Sequence, residues 1–242
     1  MTDFETRNTR MIEMMAQDKS LREMSRAWLQ ASASYEYSYH FRWLGLPIIQ
    51  YPNDIVAMQE LIWKSKPDLI IETGIARGGS LVFYASMLQL LGGQGRVIGV
   101  DIDIRSHNRA AIEEHPMAGR IDMIEGSSVS PAVLEQVRLA AAGRDNVLVV
   151  LDSHHTHDHV LQELEAYSPL VKPGGYLVVF DTVIEEMPTG SFPDRPWDKG
   201  NNPATAVRAF LAANDRFEVD RPLDSKLLVS VAPGGYLRCV KT

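Results

Sequence analysis

Two acidic residues and a run of histidines stand where the chain is predicted to leave β-strands. Asp152 follows the apolar run 146–151, and Asp181 follows the run 176–180. Four of the seven histidines, His154, His155, His157 and His159, fall within six positions just after Asp152. Three chemistries use such a set. Zinc is compatible with the His155-x-His157 spacing, but Ser153, Thr156 and Asp158 signal a helix start, where alternate residues diverge. A ferrous 2-oxoglutarate oxygenase needs a His-x-Asp pair on a jelly-roll strand; residue 156 is Thr and the sheet reads as parallel. In the third, Asp152 and Asp181 end neighbouring strands, so their carboxylates converge on one hard cation such as magnesium. That ion can hold two vicinal substrate oxygens and acidify one of them, while His155 takes the hydroxyl proton. Asp152 and His155 are therefore the candidate catalytic residues. Asp152 also suits a helix N-cap, and His154, His157 and His159 read equally as solvated or core-satisfied side chains.

A second constellation is Glu72-Thr73-Gly74-Ile75-Ala76-Arg77-Gly78-Gly79-Ser80, placed between an apolar run and a helix. Its glycines allow close backbone approach, and the helix start with Ser80 offers donors to a carboxylate or phosphate. The spacing of Gly74, Gly78 and Gly79 is not the dinucleotide fingerprint, and the Gly-Lys-Ser/Thr of a Walker A loop is missing. An acid ahead of a glycine loop suits a bound ammonium instead, and S-adenosylmethionine carries both an α-ammonium and a sulfonium. Asp101, with Asp103 behind it, ends the next strand and can accept both ribose hydroxyls. Helix capping is its structural alternative.

What must position these groups is an alternation of strands and helices. A helix over 54–64 leads to a strand over 68–71, then a helix over 81–91 stopped by Gly92-Gly93, then a strand over 96–100. Strands over 121–124, 146–151 and 176–180 follow, separated by helices over 105–114, 132–142 and 156–166. This predicts an α/β fold with a doubly wound, mostly parallel, seven-stranded Rossmann-like sheet. Beyond Asp181 a stretch with Pro188, Pro193 and Pro196 has the position and length of a substrate lid, over about 183–202. Asn202-Pro203 opens a helix to residue 211, and strands are predicted over 217–220, 226–231 and 236–240.

Residues 1–50 read as a helical and aromatic extension, a cap or an oligomer contact, ahead of a core over 51–242. Ser20-Leu21-Arg22-Glu23 has capping-box spacing, with Leu21, Met24, Trp28 and Leu29 at helical intervals behind it. The aromatic run from Tyr35 to Trp43 suits a pocket wall or an interface, so a homo-oligomer is expected. The 242 residues (27.0 kDa) are 45 % hydrophobic and 23 % charged, which excludes disordered and coiled-coil classes. A net charge of −7 argues against nucleic acid or anionic lipid as the main partner. The single cysteine, Cys239, cannot form an internal disulfide and reads as an inert strand residue. The acidic start, without a signal-peptide pattern or a membrane-length apolar run, adds to the expectation of a cytoplasmic protein with no transmembrane segment.

Several of these segments, in this order, resemble one family. They are Ile71 to Ser80, Val100-Asp-Ile-Asp103, Glu125-Gly-Ser-Ser128, Leu151-Asp-Ser-His-His-Thr-His-Asp-His159 and Phe180-Asp-Thr182. Together they look like the cephalosporin hydroxylase family, also called the rhamnosyl O-methyltransferase family. The likeness runs from about Ser20 to the C-terminus and takes in Phe192-Pro-Asp-Arg-Pro-Trp197 and Gly200-Asn-Asn-Pro203. It implies a class I S-adenosylmethionine-dependent O-methyltransferase fold with a divalent metal, usually magnesium, beside the methyl donor. It also implies acceptors among sugars, macrolide-attached sugars and other secondary-metabolite hydroxyls. By that likeness Glu72, Gly74, Ser80, Asp101, Ser127 and Ser128 line the cofactor, with Arg77, Gly78 and Asp103 in the same motifs. Asp152 and Asp181 match metal positions and His155 a base. One departure is Phe180, where members with a well-defined metal site carry an acid; Glu185 or Glu186 of the lid can supply a substitute ligand. Arg195 and Trp197 can contact a sugar. A non-haem iron 2-oxoglutarate hydroxylase and a catalytically silent nucleoside-binding scaffold are the alternatives.

Overall fold

In the computed structural model, which describes residues 2–242, the chain opens with two helices, α1 (Asp3–Gln17) and α2 (Lys19–Ala33). The second helix starts two residues before the expected capping box. Asp18 is its N-cap, accepting from the Leu21 N–H, and Ser20 donates its hydroxyl to the same carboxylate at 2.9 Å. The first helix is an addition to the sequence reading, which saw no element before Ser20. It buries no side chain. A hairpin of β1 (Arg42–Trp43) and β2 (Leu46–Pro47) then leads to α3 (Pro52–Ser65).

The core alternates strictly. In order come β3 (Leu69–Thr73), α4 (Gly79–Leu91), β4 (Arg96–Asp101), α5 (Ser106–Glu113), β5 (Ile121–Glu125), α6 (Pro131–Ala141), β6 (Val147–Leu151), α7 (His157–Tyr167) and β7 (Tyr176–Val179). After them α8 (Pro203–Ala213), β8 (Phe217–Val219), α9 (Arg221–Lys226) and β9 (Tyr236–Cys239) close the chain. The strands form one seven-stranded sheet in the order β5-β4-β3-β6-β7-β9-β8, parallel except for β9. The predicted doubly wound sheet is formed.

Successive strand side chains fall on opposite faces. Ile70, Val150, Val178 and Phe180 pack against α3 and α4, whereas Ile71, Leu151 and Val179 pack with Val133 of α6 and Val160 and Leu164 of α7. Chain order reverses between β3 and β6, which sets a crevice at their carboxyl ends, the place where open α/β sheets bind ligands. The two ends sit side by side, the Asp152 N–H donating to the Thr73 carbonyl at 2.9 Å.

The strand expected over 226–231 does not form. Asp220 caps α9 by accepting from the Leu223 N–H at 3.1 Å, and the next segment is captured by a buried acid instead. Asp54 of α3 accepts from the Ser230 hydroxyl at 2.6 Å, the Val231 N–H at 2.9 Å and the Tyr236 hydroxyl at 2.8 Å. Burial pushes the Asp54 carboxyl up from 3.8 to about 6. The folded state therefore holds this proton more tightly than the unfolded chain, so stability falls as pH rises from about 4 to about 6, by on the order of 3 kcal/mol. Asp54→Asn, which keeps the shape and one acceptor, is expected to flatten that slope in urea unfolding measured across this range. A variant slope equal to the native one would remove Asp54 as its source.

Candidate active site

The crevice at the reversal collects the carboxylates and one histidine. One ligand atom from each of Asp152, His155 and Asp181 lies within 4.8 Å of the others, the only such trio of His, Cys, Asp and Glu among the described residues. His155 Nε2 is 3.1 Å from Asp181 Oδ2, with the imidazole mostly enclosed and the carboxylate about one-third exposed. Asp181 reaches this place because it leaves the sheet with φ +56°, in the left-handed region that Asp tolerates better than most residues. Phe180, one residue earlier, keeps the strand alternation and is buried against Tyr236. The β6–α7 loop supplies His155, and Trp197, in the loop before α8, packs nearly perpendicular to that ring at 4.8 Å between centroids. The Arg195 guanidinium lies over the Trp197 ring at 5.3 Å.

The other histidines disperse. His157 Nδ1 pairs with the Thr205 hydroxyl at 2.8 Å, so the His155-x-His157 zinc arrangement is absent. His154 Nδ1 meets the Thr156 hydroxyl at 2.9 Å. His159 Nε2 lies 3.1 Å from the Ser128 hydroxyl and 3.2 Å from that of Ser153, which in turn donates to buried Glu163. The oxygenase reading loses its scaffold as well, since the sheet is parallel and not a jelly roll. Glu185 and Glu186 are committed elsewhere, the first to the Asn202 side-chain amide and Arg208, the second to Arg26 of α2.

The glycine loop stands beside this trio. Gly74 has φ +92°, and a Cβ there would overlap the Asp152 carbonyl oxygen, so the loop lies directly on the end of β6. Gly79 meets the Pro47 carbonyl of the hairpin in the same way. Asp101 ties the loop to β4: one carboxylate oxygen accepts from the Ile75 N–H at 2.8 Å and the other from the Asp103 N–H at 3.2 Å. Asp103 and Arg77 are exposed, Gly78 and Ser128 buried, Ser127 half-buried. Glu72 follows Ile70 to the α4 face, under the loop. Its carboxylate is fully buried and accepts from the Ser80 hydroxyl at 2.6 Å and the Tyr84 hydroxyl at 3.1 Å. Burial, with the charge of Asp101 added, pushes it up to about 8.

Asp152 is held well above the ordinary carboxylate range, by burial first and then by the charges of Asp181, Glu72 and Glu163. Acids crowded in this way are a donor set that a hard dication fits, because the cation offsets their mutual repulsion. Three buried side-chain atoms have no protein partner among the described residues: Gln50 Oε1, Thr73 Oγ1 and Glu163 Oε2. Thr73 immediately follows Glu72, the Gln50 amide reaches Asp152, and Glu163 touches Ser153. Of the three, Gln50 stands beside the trio, and polar capacity left over there marks a place for a polar ligand. Sequence reasoning missed Gln50, Tyr84 and Glu163. The last two sit at helical intervals among apolar residues, a weak signal of buried polarity, and Gln50 gives none.

Comparison with known proteins agrees with this architecture. The family profile "Rhamnosyl O-methyltransferase/CmcI" matches residues 35–240. A rhamnosyl O-methyltransferase of Mycobacterium bovis (strain BCG / Pasteur 1173P2) is 30 % identical over 198 residues, covering 81 % of this chain and 76 % of that protein. One from Mycobacterium leprae (strain TN) is 33 % identical over 147 residues, and the match spans 60 % of this chain and 62 % of that protein. Among solved structures, one described as cmcI-D160 Mg-SAM superposes with a TM-score of 0.59 at 19 % identity, over 84 % of this chain and 77 % of that one. The O-methyltransferase TomG from Streptomyces achromogenes, in complex with SAM, gives 0.55 at 18 % identity over the full length of both. With a profile match over most of its length, the chain belongs to the rhamnosyl O-methyltransferase/CmcI family.

Proposed function

We propose that this chain is an S-adenosylmethionine-dependent O-methyltransferase, assisted by a divalent metal, that methylates a hydroxyl of a saccharide or a saccharide-bearing secondary metabolite. The observation that carries the reading is the meeting of Asp152, His155 and Asp181 at the switch point of the sheet, in contact with the Gly74 loop. The rhamnosyl specificity named for its relatives supports the acceptor class.

When bound, S-adenosylmethionine supplies an electrophilic methyl carbon and a magnesium ion supplies a Lewis acid that acidifies a hydroxyl. Asp152 and Asp181 are the residues to hold that ion. His155 is the residue to take the acceptor's hydroxyl proton, and Asp181, 3.1 Å from its Nε2, stabilises the resulting imidazolium. Trp197 fixes the ring on its other side and, with Arg195, forms the wall on which a sugar stacks. Gly74, Arg77, Gly78 and Ser80 bind the donor's amino-acid end, with Glu72 beneath them holding the Ser80 and Tyr84 hydroxyls. Asp101, with Asp103, keeps lone pairs for the ribose hydroxyls, and Ser127 with Ser128 closes the nucleoside end. Residues 1–50 act as a cap or as the contact of a homo-oligomer, for which exposed Phe4, Met11, Met14 and Met24 are available. The unpaired, buried Cys239 fits a cytoplasmic setting. Among the described residues no helix is long and apolar enough to cross a membrane.

The test is calorimetric titration of S-adenosylmethionine and S-adenosylhomocysteine, with magnesium and then with EDTA. Binding under both conditions is expected, and its absence from both would overturn the reading. Asp152→Ala is expected to cut methyl transfer by more than 100-fold while leaving S-adenosylhomocysteine bound. Intact transfer in that variant would remove the metal from the mechanism.

A further inference from the structure

Gln50 lies between the β1–β2 hairpin and α3, 102 residues from Asp152 in sequence, and is only 6 % exposed. Its Nε2 donates to Asp152 Oδ2 at 3.2 Å, while its Oε1, equally enclosed, has no partner in the protein. The oxygen and nitrogen of a side-chain amide are told apart by their partners, and the buried oxygen here has none to hold it where it stands. Here the side chain is aimed at an acid of the proposed metal trio. Phe180, packed on the same side of the sheet, brings no donor atom to that side.

We propose that the side-chain oxygen of Gln50 is a direct ligand of the cation held by Asp152 and Asp181, so that the N-terminal segment completes the metal site. The inference rests on the metal-assisted reading above. A half-turn of the terminal amide exchanges oxygen and nitrogen without moving any other atom. The oxygen then stands 3.2 Å from Asp152 Oδ2, where the nitrogen stands now. Adjacent oxygens of an octahedral magnesium ion are about 3 Å apart, as bonds of 2.0–2.1 Å at right angles require. A neutral amide also adds a ligand without adding negative charge beside Asp152, Asp181, Glu72 and Glu163.

The experiment uses Mn2+ as the probe, titrated into the full chain, with free ion read by electron paramagnetic resonance and hydration of the bound ion by water-proton relaxation. Gln50→Ala is expected to weaken Mn2+ binding about tenfold or more and to raise relaxation per bound ion, because water replaces the amide. Gln50→Glu, close in size, is expected to tighten binding, and it carries the test alone if Gln50→Ala does not fold. Native affinity and hydration in Gln50→Ala, or affinity in Gln50→Glu no better than native, would overturn the proposal and reduce Gln50 to a hydrogen-bond partner of Asp152. Failure of the native chain to bind Mn2+ while still binding S-adenosylhomocysteine would overturn the metal reading itself, and this proposal with it.

Discussion

Replacing His155 with Gln is expected to lower the rate of methyl transfer by about 10²–10⁴-fold, the usual contribution of a positioned general base, or about 3–5 kcal/mol of barrier. The geometry concentrates that effect on this one histidine. Only His155 shares the crevice with both acids, while His154, His157 and His159 spend their ring nitrogens on Thr156, Thr205 and the Ser128–Ser153 pair. Glutamine keeps much of the volume that Trp197 packs against but cannot take a proton. The loss should therefore fall on kcat, with S-adenosylhomocysteine affinity unchanged within about twofold. The measurement is transfer of labelled methyl to whichever glycoside of a sugar panel the native enzyme accepts. A variant turning over within threefold of native would assign the proton to another group.

The second large effect is expected at Gly74. An alanine there meets two penalties at once. Its φ of +92° is a conformation that side-chain-bearing residues rarely adopt, at about 1–3 kcal/mol, and its Cβ would overlap the Asp152 backbone carbonyl, which has no rotamer to escape into. Relief requires the loop to lift from the end of β6, away from Asp152. Gly74→Ala is expected to lose at least about 3 kcal/mol of stability in urea unfolding and more than 100-fold in S-adenosylhomocysteine affinity. Gly92→Ala is the control. It shares the positive φ (+80°) with open space around it, so it should show the backbone strain without the loss of binding. Equal effects at the two glycines would mean that the overlap with Asp152 contributes nothing.

Much of this arrangement was legible in local pattern. Apolar runs of strand length, helices of period 3.6 between them and glycine stops gave the parallel sheet, and the polar residue ending each run, Glu72, Asp101, Asp152 and Asp181, marked the carboxyl edge of that sheet. These features are decided by contacts a few residues apart, so the chain states them directly. Where the pattern misled, a distant partner outbid a local preference. The apolar stretch over 226–231 has strand composition, yet Asp54 holds Ser230 and Val231 out of the sheet.

Orientation and distant encounter were settled by the tertiary structure. That Glu72 turns under the loop follows from which face of β3 meets α4, and that one histidine of four joins the acids follows in part from where α8 and the β5–α6 loop receive His157 and His159. The approach of Gln50 to Asp152 across 102 residues has no trace in spacing at all. Sequence by itself determined which groups are carried to the carboxyl edge of the sheet, because strand length and periodicity are local. Only the packed structure decided which of them touch, because a distance of 3 Å between residues far apart in the chain is set by the order of strands and the helices laid over them.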